Sequence, residues 1–159
     1  MVEYYKKRDF FSLLDFIKNY QDSDFYITEN NSRLIVKDEK SLDKFIKQCR
    51  DIMIITDKGD VVGVICLWKS IGNNVYRYYI KLSAKDEKIA DNLIKVLLWN
   101  TDKEVYVKIK KISKFLKIFK NNQFNFCGDR GTEVLLVSSK YRKIYDNYNN
   151  KSEEFNSRQ

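Results

Sequence analysis

Ile80-Lys81-Leu82-Ser83-Ala84-Lys85-Asp86-Glu87-Lys88-Ile89-Ala90 joins an aromatic-rich strand to a long amphipathic helix. A strand that runs straight into a helix N-terminus presents unpaired backbone N–H groups, which suits a phosphate. This turn has no glycine and holds two carboxylates, Asp86 and Glu87. Ser83-Ala84-Lys85-Asp86 also reads as an S-x-x-D capping box, and first-turn acids favour the helix macrodipole. A phosphate cradle and a plain capped helix start are both open readings of these eleven residues.

Working outward, the strand covers Asn74 to Leu82, and Ile89, Leu93, Val96 and Leu97 place a buried helical stripe ending near Asn100. Upstream, Asp51–Thr56 and Val61–Trp68 flank Asp57-Lys58-Gly59-Asp60, a β-hairpin with glycine where positive φ is wanted. A second turn follows at Ser70–Asn73. Phe10, Leu13, Leu14 and Ile17 predict a first helix over Asp9–Tyr20. Asp24–Thr28 and Arg33–Val36 read as two short strands, and Leu42, Phe45, Ile46 and Cys49 as a second helix capped by Ser41. Downstream, Glu104–Lys110 alternates with Val105, Val107 and Ile109 on one face. Ile112, Phe115, Leu116 and Phe119 predict a last helix, and Gly128 and Gly131 bracket a turn before Thr132–Val137.

Composition narrows the chemistry. A chain of 159 residues, 43% hydrophobic, can bury an ordinary core without staples. Histidine is absent, which removes the commonest general base, the commonest metal ligand and every His-based triad. Cys49, Cys66 and Cys127 sit in apolar patterns without metal-ligand spacing, so buried thiols in a reducing compartment are expected and no metal is. The longest apolar run, Val61–Trp68, is too short to span a bilayer, and no signal peptide or membrane association is read. The absence of proline and the heavy use of Lys, Asn, Ile and Tyr suggest an AT-rich genome, that of a phage or low-GC bacterium. The expected compartment is the cytoplasm, or the host cytoplasm or virion for a phage product. The net charge is +8, and residues 81–159 hold 17 of the 30 basic and 10 of the 22 acidic residues, which places +7 there.

The order of elements resembles the GNAT superfamily of N-acetyltransferases over roughly Asp9–Val137. Asp57-Lys58-Gly59-Asp60-Val61-Val62-Gly63-Val64 is similar to that family's D-x-x-G hairpin and I/V-V-G strand. Phe115–Phe126 and Gly128–Val137 are similar to its last helix and strand pair. The resemblance implies an α/β (α+β) fold, a mixed, mostly antiparallel sheet of about six or seven strands flanked by about four helices. One domain is expected over 1–140, with a polar extension over 141–159.

The resemblance also implies acetyl-CoA as cofactor, lying between two parallel strands that splay apart, Asn74–Leu82 and Glu104–Ile109. It would run along Ile80, Lys81 and Leu82 and meet Lys85, Asp86, Glu87, Lys88, Ile89 and Ala90. The family's [R/Q]-x-x-G-x-[G/A] signature aligns with Lys85, Lys88 and Ala90, so the cation and the small residue are kept while Lys88 replaces glycine. A Y-x-x-x-G-F pattern, whose tyrosine protonates the leaving thiolate, aligns with Phe119 to Phe124, and Phe119 has no hydroxyl. Tyr76, Tyr78, Tyr79 or Tyr106 could stand in for that acid, and Glu104 is the candidate base; Tyr79, Glu104 and Tyr106 are the candidates carried forward.

Three functions stay open. One is acetyl transfer to a primary amine of a small molecule or peptide. Another is a non-catalytic interaction or assembly role for this fold in a phage, with a protein partner or a second copy of the chain. In the third, Lys111, Lys114 and Lys117 form one exposed helical stripe that tracks nucleic-acid phosphates; the wet face of an amphipathic helix is the preferred reading of that stripe.

Overall fold

The computed structural model describes residues 1–20, 25–30, 32–72 and 75–138. The expected extension at 141–159 lies outside the described residues, as do Asp24 and Asn74, where two expected strands begin. Val2–Tyr4 forms a short strand (β1), which is too brief to show a period in sequence. Phe10–Asn19 (α1) buries Leu13, Leu14, Phe16 and Ile17 on the expected stripe. Tyr26–Glu29 (β2) and Ser32–Ile35 (β3) pair antiparallel as a separate ribbon.

Glu39–Gln48 (α2) begins two residues before the expected cap, Ser41. Asp38 is the N-cap, its carboxylate accepting the Ser41 N–H at 2.8 Å, while Ser41 Oγ accepts the Asp38 N–H at 3.0 Å. Ser41 is therefore the return partner of a capping box rather than its start.

Cys49–Asp57 (β4) and Asp60–Gly72 (β5) are joined by Lys58-Gly59, with φ of 51° and 85°. Two central residues at positive φ make a type I′ turn, whose twist matches the strands it joins. β5 continues through Ser70, where a turn was expected, because Ser70 and Ile71 pair with Arg77 and Tyr76 of Val75–Ala84 (β6). Then come Glu87–Trp99 (α3), Val105–Lys110 (β7), Leu116–Asn121 (α4), Phe124–Arg130 (β8) and Glu133–Ser138 (β9). The tight turn between β8 and β9 uses Gly131 at φ 81°, and Gly128 sits at a register shift inside β8 rather than at the turn.

The main sheet has seven strands in the order β1-β4-β5-β6-β7-β9-β8, and only β6 and β7 run parallel. Alternation assigns its faces. Ile80, Leu82, Ala84, Val105, Val107 and Ile109 pack with α3 and α4 in one core. Ile52, Ile54, Val64 and Cys66 pack with α1, α2 and the β2–β3 ribbon in another. α3 lies so close to β5 that a Cβ at Gly63 would collide with Ile89 and Leu93. Among the described residues no helix is long and apolar enough to cross a membrane.

Two expectations about the C-terminal half are corrected. α4 starts at Leu116, not Ile112, whose side chain is 93% exposed. Tight turns precede it: the Ser113 N–H reaches the Lys110 carbonyl at 3.0 Å and the Leu116 N–H reaches the Ser113 carbonyl at 3.2 Å. Lys111, Lys114 and Lys117 therefore form no helical stripe. Lys111 pairs with Asp129 at 3.0 Å, Lys114 lies over the Phe115 ring, and only Lys117 belongs to α4. The thiols also differ from expectation, since Cys66 is buried, Cys49 half-buried and Cys127 exposed on the edge strand β8.

Candidate functional site

β6 and β7 pair only at Tyr78–Val105 and Tyr79–Tyr106. Beyond those pairs the strands part, as the expected splayed pair requires. β6 stays bonded to β5 through Ala84, and β7 to β9 through Lys110. The facing edges of Ile80–Ala84 and Val107–Lys110 have no strand pairing between them among the described residues. Such a wedge offers strand-edge N–H and C=O groups to an extended guest.

The α3 N-terminus stands at the open end of the wedge. The Lys85 N–H donates to the Val62 carbonyl at 2.8 Å and fixes the turn against β5. Asp86 is the N-cap, its Oδ1 accepting the Ile89 N–H at 2.9 Å. The expected box on Ser83 does not form. Ser83 is still a strand residue, 1% exposed, and its hydroxyl donates to the Tyr20 carbonyl at 2.7 Å, pinning the end of α1 to β6. The helix start leaves the Glu87 and Lys88 N–H groups without intrahelical acceptors. Lys85, Asp86, Glu87 and Lys88 are exposed, Ile89 is half-buried and Ala90 fully buried.

The other expected cofactor residues divide by face. Ile80 and Leu82 turn toward α3. Lys81 turns the other way and is 8% exposed, its ammonium 3.2 Å from the Tyr26 ring centroid and 4.7 Å from that of Trp68. Its backbone belongs to the wedge, while its charge lies beneath the β2–β3 ribbon.

Tyr79, Glu104 and Tyr106 converge at the closed end, the apex. The Tyr106 hydroxyl donates to Glu104 Oε1 at 2.8 Å, and the two tyrosine rings lie 5.8 Å apart. Burial, reinforced by the Glu104 carboxylate, raises the Tyr106 phenol above its ordinary value, so it is protonated at neutral pH. Arg77 lies over the Tyr106 ring at 5.0 Å and Lys108 over the Tyr79 ring at 5.1 Å. A hydrogen bond with the Tyr79 hydroxyl raises Arg77 further above its already high value. Phe119 is 1% exposed, edge-on to Phe124 at 5.1 Å, and supplies no proton.

Two residues of the site were not expected from the sequence: Asp86 as the cap and Arg77 at the apex. Arg77 was findable, since it stands two residues before Tyr79 and so shares its face. Asp86 was hidden because Ser83 offers a cap signal of equal strength three residues earlier.

No protein-family model matches the chain, and no curated protein sequence does. Solved structures do match. The ribosomal-protein-alanine N-acetyltransferase from Brucella melitensis superposes with a TM-score of 0.69 at 11% identity, over 87% of this chain and 98% of that one. An N-acetyltransferase from Staphylococcus aureus Mu50 gives 0.65 at 12% identity, over 87% and 96%. A GNAT-superfamily phosphinothricin acetyltransferase from Sinorhizobium meliloti, solved with acetyl-CoA, gives 0.65 at 11% identity, over 86% of each chain. Likeness at such identities is likeness of architecture, and the architecture of this chain is the GNAT fold of N-acetyltransferases.

Proposed function

We propose that the chain is an acetyl-CoA-dependent N-acetyltransferase acting on a primary amine. The observation that carries this reading is the parting of β6 and β7 immediately beyond Tyr79 and Tyr106, with a helix N-terminus at the open end.

The residues fit the donor in part. Strand-edge groups of Ile80–Ala84 suit the amide-containing arm of coenzyme A, and the Glu87 and Lys88 N–H groups with Lys85 and Lys88 suit its pyrophosphate. Asp86 and Glu87 oppose that anion. When bound, acetyl-CoA supplies an acetyl group activated as a thioester. In the transfer a C–N bond forms and a C–S bond breaks, the nitrogen gives up a proton and the sulfur takes one. Tyr106, held protonated, is assigned the proton for sulfur, and Glu104, bonded to it, the role of acceptor for the amine proton. A strand N–H near the apex polarises the reacting carbonyl.

A second reading, a non-catalytic interaction or assembly protein on the same fold, is favoured by the Asp86 carboxylate, which fills one of the N–H sites a pyrophosphate needs. One experiment separates the two. Acetyl-CoA at millimolar concentration is expected to raise the melting temperature by several degrees. Asp86→Asn, which keeps an N-cap side chain but removes a charge, is expected to bind about fivefold more tightly. No stabilisation of either protein sinks the transferase reading.

A further inference from the structure

One face of the wedge is partly accessible, at half-buried Tyr79 and Tyr106 and exposed Lys108, while Lys81 and Ser83 on that face are covered by Tyr26 and the end of α1. α3 and α4 cover the other, where Ile80, Leu82, Val105, Val107 and Ile109 are all buried. An amine must therefore reach the apex past Tyr79, Tyr106 and Lys108.

That approach is positively charged, and its charge is positioned rather than neutralised. Arg77 and Lys108 are exposed, and each lies over a tyrosine ring at the apex. An aromatic face holds a cation in place yet leaves its net charge intact. Among the described residues, neither has a carboxylate within 4.0 Å. Glu104 at the apex accepts the Tyr106 hydroxyl, and Glu133 sits 3.8 Å from Arg33, itself over Tyr26. A polycation is repelled on this path, and an anion is drawn along it.

Resting on the transferase reading above, we propose that the acceptor is a small primary amine carrying its own carboxylate or phosphate. Arg77 and Lys108 hold the anionic group while the nitrogen forms its bond to the acetyl carbon at the apex. The sulfur leaves with the electron pair of the C–S bond and takes a proton, and the nitrogen loses one.

Calorimetric titration of the full chain saturated with coenzyme A tests this, with glutamate, O-phosphoethanolamine, spermidine and kanamycin as probes. At low salt an anionic amine is expected to bind at least about tenfold more tightly than either polycation, and salt should narrow the gap. Glutamate ahead identifies a carboxylate; O-phosphoethanolamine ahead identifies a phosphate. Lys108→Glu, at an exposed position, is expected to invert the order, and Arg77→Gln to abolish the preference. Equal binding of all four probes, polycations ahead, or no binding of either anionic amine overturns the assignment. Titration with acetyl-CoA alone separates the two proposals. No heat there sinks the transferase itself, whereas acetyl-CoA binding with a preference for polyamines sinks only the acceptor class.

Discussion

Tyr106 is where strand geometry sets the acidity of a side chain. Its position on β7 puts the ring beside Tyr79, and its hydroxyl meets Glu104 two residues earlier on the chain. Both burial and the carboxylate disfavour the phenolate, so the folded pKa lies above the ordinary value of 10.0. The stability this contributes is present in full below pH 10 and is lost as pH rises through the elevated value. With 11 tyrosines in the chain, the difference spectrum between the native protein and Tyr106→Phe isolates this phenol. Its midpoint is expected above pH 10, and Glu104→Gln should lower it; a midpoint at or below 10 would contradict the assignment. Tyr79 and Tyr106 came into consideration as strand tyrosines that could replace the hydroxyl Phe119 lacks, and the sequence did not show that their rings meet across the parallel pair. Ser83 was less legible. Its S-x-x-D pattern is a local signal, and pairing of Ser83 with Val64 of β5 outweighs it.

At the scale of elements, the hairpin and the parallel pair were readable, and the boundaries set by packing were not. Lys58-Gly59 announces its turn because few residue pairs tolerate two positive φ values. The start of α4 did not, because Ile112 matches the helical spacing of Phe115 and Phe119 while its side chain points to water. Gly63 shows what packing demands of a single position. Its backbone is not in the left-handed region; what it supplies is close approach, with Ile89 and Leu93 of α3 where a side chain would be. Gly63→Ala is expected to cost about 1–3 kcal/mol, since β-branched Ile89 cannot step aside without moving α3. Urea unfolding measures it, and a loss under about 0.5 kcal/mol would show the contact to be soft.

For the whole molecule, a net charge of +8 means that lost carboxylates sharpen an existing repulsion. Three acids are held below the ordinary carboxyl value. Asp38 accepts the Ser41 N–H, and Asp129 accepts from Lys111 and the Gly131 N–H. For Asp91, burial pushes upward, but bonds from Lys95 and Asn122 prevail. Depressed folded values stabilise above the unfolded pKa and lose that stabilisation as pH falls through the folded ones. Urea midpoints are therefore expected to hold near neutral pH and to fall below about pH 4. A midpoint unchanged down to pH 3 would contradict the assigned pairs.

The two-pair junction of β6 and β7 has a mechanical consequence. From Tyr79 to Ala84 the wedge runs five residues, a lever of about 17 Å at strand rise. A swing of about 10° between the two halves of the sheet moves the far end by about 3 Å and the apex scarcely at all. For a donor bound as proposed above, such a swing would open the phosphate end of the wedge by leverage while the tyrosine end stays in register.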